Sequence, residues 1–467
     1  MNKLKFFWNY EFSNSLKIIL SIVMLLLFAV SLTRPYVDHD VLMYAEIGRA
    51  IFDRGLLPYE FAFDHKPLAA YYLYGLIQSI FPLKAPVFQC VSAGMLLATA
   101  ALLRNLVQKE SLAFYFLVLT AMSYPLLHFS GNTEIFYTFF SLLSFLTLFK
   151  ARRVLLYFAA GGAAAIAFNI NYLSVFLIGP PAVYLMLAGS SDVMDCAKKC
   201  GFYSAGFVGG FVCLFIPYLI KNPALVGDYF SAQAAFLDAY GKSHRDLPWY
   251  FVVKLAPMPI LAVISMKCKS DDARLRTALI IMMTSALVGV LSSGKYYMHY
   301  GYIMVPSALA LVALSVNPGR WLALLASLAL LVLPSGRTAL AEVGSPAVWR
   351  QAYDFSKYRE IKTLVGEEKV LSIRASHVPV FYSNLNAAQP YIWVDHAYML
   401  YGPAEDAYDA GLMKPEQRFV LAPQSLCLPG KSDRLEKSCQ KLHDEYEPLK
   451  TYTDWYWPTL TLYVRKA

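Results

Sequence analysis

The sequence predicts an all-α polytopic membrane bundle of about eleven transmembrane helices, N-terminus inside and C-terminus outside, with a small C-terminal α/β domain on its outer face. Three observations predict it. Of 467 residues, 57% are hydrophobic and 16% charged, with a mean hydropathy of +0.44, which excludes an ordinary soluble globular protein. Apolar segments of near-spanning length recur along most of the chain. Lys and Arg gather in alternate connections between them. The net charge of +9 is therefore read as cytoplasmic-loop charge, and no nucleic-acid partner is expected.

The first segment, Ile18 to Leu32, follows Lys3, Lys5 and Lys17. Thr33-Arg34-Pro35 comes next, not a small-residue cleavage site, so the segment reads as a retained signal anchor. The other expected spans lie near 85–103, 111–130, 135–149, 154–170, 174–189, 201–220, 249–266, 275–293, 297–316 and 321–335. Charge checks the register. Arg104 and Lys109, then Lys150, Arg152 and Arg153, then Lys198 and Lys199 fall inside. So do Lys267, Lys269, Arg274, Arg276 and Arg320, while the turns near 130–134 and 171–173 carry no Lys or Arg. Gly206, Gly210 and the small-residue run Gly161–Ala165 are expected to let helices approach closely. Under this topology His39, His65, His128, His244, His299, His377, His396 and His443 all lie at or beyond the outer rim. The working face is expected there.

Between Asp40 and Gly55, Val41, Tyr44, Ala45, Gly48, Ile51 and Phe52 share one helical face. Glu46, Arg49, Asp53 and Arg54 share the other, which predicts an amphipathic helix lying along the membrane. The stretch reads Asp-x3-Tyr-Ala-Glu-Ile-x7-Gly-x2-Pro-Tyr from Asp40 to Tyr59, then His65-Lys66-Pro67. This pattern resembles the first outer loop of the C-type membrane glycosyltransferases. It is similar in particular to bacterial relatives of protein O-mannosyltransferases and lipid A aminoarabinose transferases. The resemblance covers about the first 310 residues. Val41 stands where many relatives carry the second acid of an Asp-Glu pair.

The resemblance implies transfer of a sugar from a polyprenyl-phosphate donor to a glycan, lipid or protein acceptor at the outer face of a bacterial inner membrane. Asp40 matches the family's first-loop acid, which would take the acceptor's proton as general base; as a residue it is also a favoured N-cap. Asp38 is the alternative base or a polar neighbour. Glu134, in Gly131-Asn132-Thr133-Glu134, matches a second outer-turn acid, or else complements a helix dipole. Lys66 and the Lys295-Tyr296-Tyr297-Met298-His299-Tyr300 motif, through Lys295, His299 and Tyr300, would hold the donor phosphate. Lys254 is a further cation for which snorkelling is the plainer account. Tyr44, Tyr59 and His65 would line the substrate. The resemblance requires no cofactor. A divalent metal on Asp40 and His65 stays open, since Asp38, His39, Asp40, Asp64 and His65 are ligand types, though their spacing matches no metal motif.

Residues 222–248, with Tyr229, Phe236, Tyr240, Lys242, His244 and Arg245, read as a long outer loop suited to a lid. The composition turns charged after Pro334-Ser335-Gly336, which places a domain boundary near 340. Residues 1–340 would form the membrane domain, with its first outer loop at 34–84, and 341–467 the periplasmic domain. In the latter, strands are expected at 370–374, 419–422 and 460–465, and helices near 349–364 and 432–446. Cys427 and Cys439 there are candidates for a disulfide. Two other classes were weighed. A glycan ligase or polymerase would concentrate Arg and His in a large late loop, and a transporter would place charges at mid-membrane.

Overall fold

The computed structural model describes residues 39–107 except 59, 63 and 82–86; 131–256 except 243–245; and 272–314. It further describes 344–427 except 353, 376 and 393–400; 435–466 except 454–458; and the single positions 25, 28, 29, 32, 259, 260 and 263. The expected spans 111–130 and 321–335, and most of 18–32, lie outside these residues. The chain divides into two compact units.

The first unit comprises Met1–Asp38, Pro86–Ile216 and His244–Ala352. Its helices are α3 (Val87–Val107), α4 (Thr133–Phe149), α5 (Val154–Ile170), α6 (Ser174–Ala188), α7 (Val193–Cys213), α10 (Trp249–Leu255), α11 (Ala273–Ser292) and α12 (Val305–Leu314). Among the described residues, α3 and α11 are long and apolar enough to cross a membrane, and α4, α5 and α6 are shorter apolar helices. Starts are set by polar caps. Asn132 accepts from the Thr133 amide at 2.7 Å, Asp192 from Asp195 at 2.9 Å and Asp272 from Leu275 at 2.8 Å. The small residues act as expected. A Cβ on Gly161 would run into the Tyr203 carbonyl, and one on Gly206 into the Phe158 carbonyl, so α5 and α7 pack backbone to backbone.

Two expected spans differ in detail. The segment at 201–220 is not one helix: α7 starts at Val193, behind the Asp192 cap, and breaks at Leu214–Phe215. Pro217 explains the break, because it has no N–H to donate and its ring clashes with the preceding turn. A short helix α8, Ile216–Lys221, follows. The segment at 297–316 begins as a 3-10 helix, Met298–Met304, before becoming α12. Its entry is kinked by left-handed backbone at Gly294 (φ +63°) and Tyr296 (φ +51°).

The second unit comprises His39–Ala85, Pro217–Ser243 and Tyr353–Ala467. The expected first-loop helix is present as α1 (His39–Arg54), followed by α2 (Leu68–Ile80). They cross where Gly48 meets Gly75: a Cβ on Gly75 would lie 2.6 Å from the Gly48 carbonyl oxygen. The expected polar face of α1 is only partly exposed, however: Asp53 is exposed, and Arg49 and Arg54 are half-buried. Glu46 is fully buried, because helix α15 (His377–Ser383) of the C-terminal region packs on α1. The Glu46 carboxylate is instead satisfied internally by Arg49, through Nε at 2.9 Å and Nη2 at 2.5 Å, with Arg54 at 3.6 Å. Burial pulls the Arg49 guanidinium down, but Glu46, with Asp53 beyond it, holds its pKa above the ordinary value. The expected loop at 222–248 is a correction too. Most of it is helix α9, Ala224–Lys242. Its Ala-rich sequence favours a helix over a lid-like loop.

The C-terminal region holds a five-stranded sheet in the order β2-β1-β3-β5-β4. The strands are β1 (Lys369–Ser372), β2 (Asn386–Ala387), β3 (Phe419–Pro423), β4 (Tyr446–Tyr452) and β5 (Leu460–Arg465). β1 runs parallel to β2 and β3, and β5 runs antiparallel to β3 and β4. The helices α14 (Ser356–Val365), α16 (Tyr401–Met413) and α17 (Glu436–Glu445) complete it, after a short α13 (Pro346–Ala352) in the first unit. Cys427 and Cys439 form a disulfide, with Cα atoms 5.4 Å apart.

Candidate functional site

In the second unit the site is built on the α1–α2 crossing. Only glycine at 48 and 75 lets the two backbones approach, and that approach sets Tyr44 of α1 against Tyr74 (5.3 Å between centroids) and Tyr71 (6.3 Å) of α2. Asp40 occupies the first turn of α1 and accepts a hydrogen bond from Tyr44 Oη at 3.1 Å. Four residues apart on one helix, the two side chains stack on one face. Asp40 is half-buried.

The loop between α1 and α2 brings Asp64, His65 and Lys66 to this crossing. Asp64 is 1% exposed. It accepts from Tyr71 Oη at 2.8 Å and pairs with His65 Nδ1 at 3.0 Å. Lys66 is 6% exposed and its Nζ lies 5.6 Å above the Tyr44 ring. Among the described residues no carboxylate lies within ion-pair distance of that ammonium. A buried cation without a paired anion is costly unless an anion is supplied. Asp40, Tyr44, His65 and Lys66 are thus four expected residues brought into one cluster.

In the first unit Glu134 sits in the first turn of α4, 1% exposed, behind Gly131 at φ +84°. Its carboxylate takes Thr133 Oγ1 at 3.3 Å and Asn171 Nδ2 at 3.5 Å. A carboxylate here complements the helix dipole, yet it is held by long, weak bonds that a better donor could replace. Lys295 is 4% exposed and follows the left-handed Gly294. In the same motif Tyr297 stacks on His299 at 5.5 Å, and Tyr300 packs edge-on to His299 at 4.9 Å.

Asp38 and Tyr59 lie outside the described residues, as do His128, His244, Arg245 and His396, and the side chains of His39 and Lys254. Among the described residues no three His, Cys, Asp or Glu side chains gather as a metal site. Sequence reasoning missed Tyr71, Gln233 and Asn171, and placed Phe236 in a lid rather than beside His65. The aromatic run after Pro67 signalled Tyr71; Gln233, Phe236 and Asn171 are joined to the site only by long-range folding.

No family model matches the sequence, and no curated protein matches it. The fold does match solved structures. The crystal structure of ArnT from Cupriavidus metallidurans bound to undecaprenyl phosphate superposes with a TM-score of 0.62 at 14% identity, over 98% of this chain and 99% of that one. An Archaeoglobus fulgidus oligosaccharyltransferase in complex with zinc and sulfate gives 0.42 at 12% identity, over 95% of this chain and 72% of that one. The chain has a C-type glycosyltransferase-like fold, the class that its first-loop motif resembles.

Proposed function

We propose that this chain is an inverting glycosyltransferase of the inner membrane. It would move one sugar from a polyprenyl-phosphate donor to an envelope glycan, lipid A or lipopolysaccharide, or a protein at the periplasmic face. The observation that carries the reading is Lys66: a buried ammonium over the ring of Tyr44, whose hydroxyl binds Asp40 one helix turn earlier, in a chain that matches an ArnT fold along its whole length. Undecaprenyl phosphate bound in that neighbour supports the donor class, and the Cys427–Cys439 disulfide supports an oxidising outer compartment for the C-terminal region.

In this mechanism Asp40 removes the acceptor hydroxyl's proton as its oxygen attacks the anomeric carbon. Tyr44 Oη, donating to the carboxylate, helps fix its orientation. The bond from the anomeric carbon to the phosphate oxygen breaks, its electron pair stays on the phosphate, and configuration inverts. Lys66 neutralises the charge that gathers there. Tyr59 and His65 are further substrate contacts. The mechanism needs no metal. The test is titration of the purified protein in nanodiscs with undecaprenyl phosphate and with undecaprenol. Saturable binding of the phosphate alone, weakened about ten- to a hundredfold in Lys66→Ala, is expected; equal binding of both, or of neither, would sink the reading. Mass spectrometry of lipid A, surface polysaccharide and envelope proteins from a deletion strain then identifies the acceptor.

A further inference from the structure

The Asp64–Lys66 tripeptide has no helix or strand to hold it, so its conformation depends on side chains that reach it from elsewhere. Two elements do. From α2, Tyr71 binds Asp64. From α9 come two contacts more than 160 residues away in sequence. Phe236, fully buried, stacks on the His65 imidazole with centroids 4.7 Å apart and planes 8° from parallel. Gln233, 4% exposed, donates Nε2–H to the Lys66 carbonyl at 3.3 Å. The segment leading into α9 holds the other end of the same loop. Tyr218 Oη donates to the Pro58 carbonyl at 3.4 Å, and Lys221 Nζ reaches Glu60 Oε2 at 2.7 Å and the Gly55 carbonyl at 2.9 Å. On α9 itself Tyr229, Gln233 and Phe236 are the buried stripe, at the spacing of one helix face.

We infer that Gln233 and Phe236 are positioning residues for the anion-binding end of this loop. Phe236 fixes the plane of His65, and Gln233 fixes the Lys66 peptide so that its side chain turns to Tyr44. Neither touches the ligand. Each acts through Lys66, and the ligand class is a lipid phosphate monoester. The inference rests on the functional reading above and adds a second element to it: α9 serves as a fixed brace where the sequence suggested a lid.

The experiment is a double-mutant cycle on the full-length protein in nanodiscs, titrated with undecaprenyl phosphate. Phe236→Leu keeps apolar volume and removes the stack; Gln233→Met keeps length and removes the donor. Each should weaken binding by about three- to tenfold, the scale of one aromatic contact or one neutral hydrogen bond. Hydrogen exchange of residues 60–66 should rise in both, with or without lipid. Lys66→Ala should weaken binding by about ten- to a hundredfold, as loss of a charge-assisted contact does. In that background the two α9 changes should add nothing. Wild-type affinity in both α9 variants would overturn the inference, and so would full additivity with Lys66→Ala. Absence of undecaprenyl phosphate binding by the wild type is a different result, which removes the functional reading and this inference with it. If Phe236→Leu fails to fold, Gln233→Met and the exchange measurement decide alone.

Discussion

Gly48→Ala tests the contact on which the second-unit site depends. The added Cβ would lie 2.5 Å from the Gly75 Cα and 2.5 Å from the Tyr71 carbonyl oxygen. Both are backbone atoms, so no rotamer change can yield the space. The helices must separate or shift, and overpacking of this kind costs typically about 1–3 kcal/mol, with the upper end expected where neither side can give. For a unit of this size about 3 kcal/mol lowers the apparent Tm by roughly 6–12 °C. Separation also moves Tyr44 away from Lys66 and Asp40 away from the loop, so undecaprenyl phosphate binding should fall with stability. Gly94→Ala is the control: it lies in α3 with nothing within 4 Å of the new Cβ, and Ala there should be neutral or up to about 1 kcal/mol stabilising. Unfolding of a membrane protein is often irreversible, so both variants are compared with wild type at one scan rate. A Gly48→Ala protein with the Tm and the lipid affinity of Gly94→Ala would refute the claim that the crossing builds the site.

Three further outcomes are expected. Asp40→Asn can still accept from Tyr44 and still suits a helix start, so it should fold and bind donor while single-turnover transfer falls by about a hundred- to ten-thousand-fold; near-normal transfer would hand the base to Glu134 or Asp38. Removing the Cys427–Cys439 bridge, which spans 12 residues, should destabilise the C-terminal region by on the order of 3 kcal/mol, and thiol titration of unreduced, denatured protein should find both cysteines blocked. Topology reporters at Leu57 and at the C-terminus should read outside and one in the 189–192 turn inside, and Leu57 and the C-terminus on opposite sides would overturn the orientation.

The helices legible in the sequence were those whose patterns are local. α1, with its Asp40 start and Gly55 stop (φ +63°), and α4, with its Asn132 cap, carry their own boundaries. The strands β1, β3 and β5 were legible because two are buried almost throughout and read as short apolar runs. β4 was not, since five of its seven residues are exposed and four of those are polar or proline. The candidate cluster was legible for a different reason: Asp40, Tyr44, His65 and Lys66 belong to one motif and one loop. What the motif could not reveal was that Glu46, in its middle, would be buried, because α15 follows it by more than 320 residues. The same holds for α9. Its Ala-rich run announces a helix, but only the fold reveals that Gln233 and Phe236 face His65 and Lys66.

The buried charges of the second unit are not alike, and the difference predicts opposite effects on stability. Glu46 is closed on itself by Arg49 and Arg54, and Asp64 by Tyr71 and His65. Removing charge from Glu46 leaves two half-buried guanidinium groups facing each other; burial and Arg49 already hold the Arg54 pKa below its ordinary value, and only the acids oppose that. Glu46→Gln should therefore destabilise by about 3 kcal/mol or more, as breaking a buried pair does. Lys66 has no such closure among the described residues, so Lys66→Met deletes a buried ammonium, keeps the stem and should leave stability unchanged or raise it. Its undecaprenyl phosphate binding should nevertheless weaken by about ten- to a hundredfold, as expected where a site holds a destabilised charge for its ligand. Thermal unfolding and lipid titration of the two variants side by side decide it. A Lys66→Met protein that is less stable than wild type by as much as Glu46→Gln would make Lys66 a structural cation and remove it from the site.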